Sequence, residues 1–284
     1  MIKLQTEVEV GRSRVEISYR DRILVLGSCF ADNVGEKMVQ AGFDACVNPF
    51  GTLYNPASIE AAVRRLSSGE SFTEQECVQM GAGAGLVCSF SHHTSFARPT
   101  AGEFLRDANA RLKEASEFFA ACNKVIITLG TAWYFTYNET GAVVSNCLKR
   151  LPSEFTRRMM DVPAASGILR SIIDSCPGKE FIFTVSPVRH MADTAHGNQL
   201  SKSTLLLAVD AVKGERAEYF PSYEIVLDEL RDYRFYAEDM VHPSAQTVAY
   251  IWSRFCDFAL AGGEKEELLA REKLFKRSQH RLLH

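Results

Sequence analysis

Three short runs of apolar residues limit the folds open to this chain more than any other feature. They are Ile23 to Leu26, Val125 to Leu129 and Phe181 to Val185, and each one stops at a small or turn-forming residue. Runs that are apolar on both faces are typical of strands in a parallel sheet with helices on either side. A fourth candidate strand, Tyr223 to Leu227, comes later in the chain.

Segments with helical periodicity separate these runs. Asn55 is expected to cap a helix over Pro56 to Leu66, because proline is favoured at the first helical position. One helix between Glu154 and Ser175, interrupted near Pro163, is also expected. The other predicted helices cover Ala31 to Ala41, Phe104 to Phe119, Leu200 to Val212 and Ala245 to Leu260. Strands that alternate with such helices predict an α/β fold with a doubly wound parallel sheet.

No linker or repeat divides the chain, so residues 1–262 are predicted to form one domain. Residues 263–284 differ, because six basic and four acidic residues accompany leucines at helical spacing. This segment is expected to be a charged terminal helix that packs by one face. A helix that binds a partner is the alternative.

The composition excludes several classes of protein. Of the 284 residues, 46% are hydrophobic and 24% are charged, which is the globular average and excludes a disordered chain. The net charge of −3 provides no positive electrostatic field that would attract nucleic acid or an anionic membrane. No apolar run is long enough for a membrane helix. The chain start lacks a secretory signal, and eight scattered cysteines are expected to be reduced thiols. We therefore expect a cytoplasmic protein with no nucleic-acid or membrane partner.

Ser28 is the first candidate for a catalytic residue. It lies between a predicted strand and a predicted helix, where open α/β sheets bind ligands, and Gly27 permits the tight turn. The unpaired N–H groups of a helix start suit a nucleophile, because negative charge develops on a nearby oxygen. A plain helix-capping serine is the alternative, and Cys29 competes as the nucleophile of the same turn.

Asp239 and His242 complete the pattern of a catalytic triad. Because they are three residues apart, both can lie on one side of a single turn. Asp239 can then accept from one imidazole nitrogen while the other nitrogen faces Ser28. A serine hydroxyl is a poor nucleophile without a base, so the pair favours nucleophilic catalysis over its alternative, a local hydrogen bond within a loop.

The remaining histidines and glycines give weaker signals. His93 can reach a nearby site from a loop or belong to a polar surface pair, and His190 follows another predicted strand. No spacing among His190, His196 and His242 matches a zinc motif, so no metal and no cofactor are expected. Gly81 to Gly85 lacks the lysine of a phosphate-binding loop and is expected to be a flexible loop.

Several sequence blocks, in a fixed order, carry a family resemblance. Residues 27–31 read GSCFA. Further blocks follow at 48–56 (NPFGTLYNP), 128–131 (TLGT), 184–190 (TVSPVRH), 197–203 (GNQLSKS) and 239–244 (DMVHPS). From about residue 20 to about residue 258, the chain resembles the GSCFA domain family, which is related to the SGNH (GDSL-like) esterases and acyltransferases.

The resemblance implies a three-layer α/β/α fold around a central parallel sheet. It also implies that Ser28 is the nucleophile, His242 the base, and Asp239 the residue that orients the base. These roles agree with the triad that the residues themselves suggest.

An oxyanion hole is implied by the same resemblance. By position, the backbone N–H groups of Ser28 and Gly51 supply two of its donors. The wider superfamily adds an Asn from a G-x-N block, whereas this chain has Gly130, Thr131 and Ala132 there. Thr131 or Asn55 is therefore expected to supply the third donor, because losing one such donor typically slows acyl transfer by about 100- to 1,000-fold.

The sequence as a whole predicts a serine ester hydrolase that forms an acyl-enzyme. By similarity to the related enzymes, the expected substrates are small-molecule or carbohydrate O-acyl esters such as acetyl esters. Arg189, His190 and His93 are expected to contact the substrate. The alternatives are an O-acyltransferase with the same mechanism, a non-catalytic ligand-binding protein on the hydrolase fold, and a metal-dependent enzyme.

Overall fold

A computed structural model describes residues 5–81, 83 and 85–282 of the chain. The strands, in chain order, are β1 (Arg22–Gly27), β2 (Asp44–Val47), β3 (Val78–Gln79), β4 (Val87–Cys88), β5 (Lys124–Leu129), β6 (Trp133–Tyr137), β7 (Val143–Val144), β8 (Phe155–Met159), β9 (Glu180–Val185) and β10 (Ala217–Phe220). The α-helices are α1 (Cys29–Gln40), α2 (Pro56–Ser68), α3 (Ala101–Ala121), α4 (Val162–Asp174), α5 (Thr194–Asp210), α6 (Ser222–Glu224), α7 (Ala245–Ala259) and α8 (Lys265–Leu282).

Five of these strands form a central sheet in the order β10-β9-β5-β1-β2, and every neighbouring pair is parallel. The register aligns the carboxyl ends of the strands: Gly27 of β1 pairs with Thr128 of β5, and Thr128 pairs with Thr184 of β9. The three apolar runs found in the sequence are the three central strands. Their burial on both faces explains why they carry no polar alternation.

Helices cover both faces of this sheet. Successive strand side chains point to opposite faces, so Leu24 and Leu26 join the core beneath α2, α3, α4 and α5. Ile23 and Val25 join the core beneath α1, α7 and α8 on the other face. The predicted three-layer α/β/α sandwich is therefore confirmed.

The predicted fourth strand, Tyr223 to Leu227, is wrong. These residues form α6 and the start of a π-helical segment, Ile225–Leu230, while the edge strand β10 lies just before them. A short apolar run cannot by itself distinguish a buried helix from a strand. The other edge strand, β2, was missed because only one of its four residues is buried and no apolar run marks it.

The predicted helix between Glu154 and Ser175 is wrong in its first half. Residues Phe155–Met159 form β8, which pairs antiparallel with β6, and the helix α4 begins only at Val162 behind an Asp161 cap. The residues of β8 are mostly exposed on a small antiparallel three-stranded sheet, β7-β6-β8, outside the main one. This small sheet matters because it borders the candidate site.

The other predicted helices are present with small shifts at their ends. Asn55 caps α2 as predicted, with its Oδ1 accepting from the Ser58 N–H at 2.9 Å. The helix α5 starts at Thr194, six residues before the predicted start. None of the helices in the described part of the chain is both long and apolar enough to cross a membrane.

The charged C-terminal segment forms α8 as far as residue 282, and residues 283–284 lie outside the described residues. Leu268 is buried against the core beneath α1 and α7, and the Trp252 indole N–H donates to Glu272 at 3.0 Å. The helix thus packs by one face. In the predicted loop at Gly81 to Gly85, residues 82 and 84 lie outside the described residues.

Replacing Gly27 with alanine is expected to destabilise the protein strongly. Gly27 has a φ of +140°, and a Cβ there would lie 2.1 Å from the Thr128 carbonyl oxygen, which belongs to the rigid neighbouring strand. We expect Gly27→Ala to lower the free energy of unfolding by about 3 kcal/mol, measured by urea denaturation. Gly262→Ala is the matched control, because a Cβ there meets nothing within 4 Å. Equal unfolding midpoints for the two variants would contradict the prediction.

Candidate active site

Ser28 follows β1 directly and is the N-cap of α1. Its side chain is buried, and its Oγ accepts a hydrogen bond from the Phe30 N–H at 3.3 Å. Asn48, which has a φ of 40°, fixes the preceding turn: its Oδ1 accepts from the Gly27 N–H at 2.8 Å and its Nδ2 donates to Asp32 at 2.6 Å. Ser28 therefore lies at the positive end of a twelve-residue helix.

A cavity of about 400 Å³ opens at the carboxyl edge of the sheet, where α/β proteins of this type bind ligands. The cavity brings together residues that are far apart in the sequence. Its lining includes Ser28, Asn55, Thr131, Arg189, His190 and His242. Six of the nine residues predicted from the sequence to form the site thus share one cavity.

Asp239 lies beside His242 on one tight turn. The Asp239 Oδ2 and the His242 Nδ1 are 2.6 Å apart, and Oδ1 accepts from the N–H groups of Val241 and His242 at 2.9 Å each. These hydrogen bonds, led by those with His242, hold the pKa of Asp239 down to about 2. The carboxylate is therefore ionised at neutral pH and orients the imidazole, which leaves the other ring nitrogen, Nε2, for chemistry.

Ser28 and His242 line the cavity, but among the described residues no hydrogen bond joins them. The Ser28 Oγ is instead occupied with the helix cap described above. Catalytic hydrogen bonds in unliganded sites are often long or unformed. The lack of a hydrogen bond between the described Ser28 and His242 is therefore compatible with a nucleophile and base that meet when a substrate binds.

The two backbone donors predicted for an oxyanion hole both have carbonyl acceptors within the described residues. The Ser28 N–H donates to the Thr128 carbonyl at 3.1 Å, and the Gly51 N–H donates to the Asn48 carbonyl at 2.8 Å. Gly51 also lies outside the cavity lining and packs closely on His93. The Ser28 N–H is engaged through pairing with a distant strand, and the Gly51 N–H through a local turn.

Asn55 is the better placed of the two alternative donors. Its Oδ1 caps α2, which leaves the Nδ2 amide of a cavity-lining residue without an acceptor among the described residues. Thr131 also lines the cavity, but its hydroxyl pairs with the Ser201 hydroxyl at 2.9 Å and accepts from the Trp133 N–H. Asn55 is thus the side-chain donor that the geometry leaves free.

Cys29 shares the cavity with Ser28, yet its environment disfavours a reactive thiolate. Burial, and then the nearby Asp32 carboxylate, raise the pKa of the Cys29 thiol above its usual value. A raised pKa keeps the thiol protonated and less nucleophilic at neutral pH. The environment of this turn therefore supports Ser28 rather than Cys29 as its nucleophile.

The predicted substrate-contacting residues have different positions. Arg189 lines the cavity and also holds the His242 turn, since its Nη1 donates to the Met240 carbonyl at 3.0 Å. His190 lines the cavity too, and burial, reinforced by the charge of Lys202, lowers its pKa to about 4. His93 is not among the residues that line the cavity; its Nδ1 caps the short turn Thr94–Phe96. The substrate contact of His93 stays a prediction that the cavity lining does not support.

One wall of the cavity consists of residues that the sequence did not predict to belong to the site. Arg157 of β8 stacks over the Trp133 ring, 4.2 Å from its centroid, and forms an ion pair with Asp193. All three residues line the cavity. The segment around Arg157 was predicted to be helical, so its place on a strand that faces the site was not predicted. Within residues 5–81, 83 and 85–282, no group of three or more His, Cys, Asp or Glu side chains is placed to hold a metal ion.

His92, the neighbour of His93, is expected to make stability depend on pH. It is fully buried among phenylalanines, and burial lowers its pKa from 6.5 to about 3. Below pH 6.5 His92 becomes protonated in the unfolded chain but stays neutral in the folded protein. The free energy of unfolding therefore falls by on the order of 4 kcal/mol between pH 6.5 and 3. His92→Phe should flatten the slope of unfolding free energy against pH, measured by denaturation at several pH values.

The matched control for that measurement is His196→Gln, because His196 is exposed. It should leave the slope as in the wild type. A slope that His92→Phe leaves unchanged would show that His92 is not the group that takes up the proton.

The fold and the cavity together define an α/β/α protein with a polar site at the carboxyl edge of a parallel sheet. The chain belongs to the GSCFA family, whose model matches residues 22–255. Searches of curated proteins and of solved structures gave no match to this chain.

Proposed function

We propose that this protein is a serine ester hydrolase, related to the SGNH enzymes, with Ser28 as nucleophile, His242 as base and Asp239 as the orienting carboxylate. The observation that carries the proposal is that His242, paired with Asp239 in a turn held by three hydrogen bonds, lines the same cavity as a serine at a helix N-terminus. A nucleophile, a base and a group that fixes the base are the parts that acyl transfer requires.

The proposed reaction begins when the Ser28 hydroxyl turns from its capping position toward the carbonyl carbon of the ester. His242 takes the hydroxyl proton as the C–O bond forms, and Asp239 stabilises the imidazolium. The Asn55 amide and the N-terminus of α1 face the negative charge on the carbonyl oxygen. His242 then protonates the leaving alcohol, and water attacks the acyl-enzyme with His242 again as base.

The proposed substrates are O-acyl esters with a small acyl group, such as acetyl esters of small molecules or carbohydrates. Support comes from a cavity of about 400 Å³ whose walls combine aromatic rings, such as Trp133, with charged groups, such as Arg157. We also propose a cytoplasmic location, since all eight cysteines are free thiols, as is usual in a reducing compartment. An O-acyltransferase would use the same residues with a sugar hydroxyl in place of water.

A non-catalytic ligand-binding role is the second candidate. It is favoured by one observation: the Ser28 hydroxyl is buried and engaged as a helix cap, with no bond to His242 in the described structure. Such a protein would bind an ester or a similar ligand and leave it unchanged.

Labelling with a serine-directed fluorophosphonate probe, followed by intact-protein mass spectrometry, distinguishes these roles. We expect one adduct on the wild type and on Cys29→Ala, and none on Ser28→Ala, because only an activated serine reacts with the probe. An adduct that persists on Ser28→Ala refutes the proposed nucleophile. The absence of any adduct on the wild type, together with ligand-induced thermal stabilisation, favours the binding role. Product analysis with a sugar acceptor then separates hydrolysis from transfer.

A further inference from the structure

We propose that Lys202 is a positioning residue that braces the turn beside Ser28 against the segment holding the His242 turn. This inference rests on the proposed function, because it assigns Lys202 a part in bringing the nucleophile and the base together. Lys202 falls within the 197–203 block, but the reaction described above gives this side chain no role.

The placement of Lys202 is unusual for a lysine. It lies on α5 with 1% of its surface exposed, and its Nζ donates to the carbonyl oxygens of Gly130 at 2.6 Å and Ser186 at 2.7 Å. Ion pairs within the described residues do not include it. Burying an ammonium group without a carboxylate is costly, so these two backbone carbonyls are what hold it there.

The first carbonyl belongs to the nucleophile side of the cavity. Gly130 follows β5 and touches Ser28 so closely that a Cβ at Gly130 would lie 3.3 Å from the Ser28 Cβ. The Gly130 N–H also donates to the Tyr54 carbonyl at 2.8 Å, immediately before Asn55. A shift of Gly130 would therefore displace Ser28, and also Asn55, which carries the free amide donor.

The second carbonyl belongs to the base side. Ser186 follows β9 and starts the segment that leads to Arg189. Arg189 donates its backbone N–H to the Val241 carbonyl at 3.1 Å and its Nη1 to the Met240 carbonyl at 3.0 Å. Those two carbonyls lie within the turn between Asp239 and His242. One ammonium group thus joins the carboxyl ends of β5 and β9, and through them the two halves of the proposed triad.

The brace does not depend on the charge of the lysine. Burial lowers the pKa of Lys202 to about 7, while the nearby Cys29 and Asp193 act in the opposite direction. A neutral amine keeps two N–H donors, and the site uses two. What the position requires is the length of the lysine arm and its donors.

The test compares Lys202→Met with Lys124→Met. Lys124 is the matched control: it is also a buried lysine of this sheet, but it lies at the opposite end of β5 and pairs with Glu180. We expect Lys202→Met to lower both the rate of fluorophosphonate labelling and kcat on p-nitrophenyl acetate about 100-fold with little change in KM, because small displacements of reacting groups have effects of this size. Lys124→Met should keep the wild-type rates in its folded fraction, whatever its melting temperature.

The outcomes separate this inference from the proposed function. A wild type that neither labels nor hydrolyses overturns both. A reactive wild type and an equally reactive, folded Lys202→Met overturn the brace alone, as does a loss of rate that Lys124→Met shares. If Lys202→Met does not fold, Lys202→Gln replaces it, because its shorter amide cannot bridge both carbonyls; wild-type rates in that variant overturn the inference equally.

Discussion

Ser28→Ala is expected to lower the rate of ester hydrolysis at least about 1,000-fold, because removing the nucleophile of a triad leaves only binding and the oxyanion donors to act. The measurement is kcat/KM on p-nitrophenyl acetate, with circular dichroism to confirm that the variant is folded. The loss should appear in kcat, since Ser28 makes its covalent bond only after binding.

The control must account for the second role of Ser28 as a helix cap. Thr100→Ala removes a comparable cap, because the Thr100 hydroxyl accepts from the Glu103 N–H at the start of α3. Each variant should lose about 1 kcal/mol of stability, but only Ser28→Ala should lose activity. Hydrolysis that continues at the wild-type rate in Ser28→Ala refutes the proposed mechanism.

Asp239→Asn is expected to lower kcat by about 1,000-fold. The amide oxygen can still accept from the N–H groups of Val241 and His242, so the turn is retained. It cannot stabilise the imidazolium, however, and its NH2 group favours the tautomer in which the imidazole Nδ1 is the acceptor. The measurement is kcat together with the labelling rate of Ser28, and both should fall in parallel.

Asp232→Asn is the matched control for that substitution. Asp232 also accepts from backbone in a short turn, and hydrogen bonds with Arg234 lower its pKa to about 2, as those with His242 do for Asp239. It pairs with Arg234 and not with the imidazole of His242. Equal effects of the two substitutions, or no effect of Asp239→Asn, would contradict the assigned role of Asp239.

The parts of the fold that could be predicted from the sequence are those whose burial is complete. The strands β1, β5 and β9 are apolar on both faces, and this pattern identifies them without any knowledge of the tertiary structure. The strands β2 and β8 are partly exposed, so their composition does not distinguish them from turns or helices. The wall that contains Arg157 was missed for this reason.

The candidate site divides in the same way. Ser28, Asp239 and His242 could be selected because their residue types and spacing carry the chemistry locally. The engagement of the Ser28 N–H with Thr128 could not, since the partner is 100 positions away and depends on strand register. Lys202 belongs to the 197–203 block, but its burial could not be predicted, because a lysine among the serines of a helix resembles a solvated residue.

The compact turn from Asp239 to His242 has a consequence for how such a site could be turned on and off. The Asp239 carboxylate accepts from the backbone N–H groups of Val241 and His242 and pairs with the His242 imidazole, so three hydrogen bonds hold the base and its partner within one turn. A displacement of the whole turn would keep the Asp239–His242 contact and change the position of His242 relative to Ser28. Arg189 contacts this turn through the Met240 and Val241 carbonyls, so a movement of the segment that carries Arg189 would be transmitted to the base.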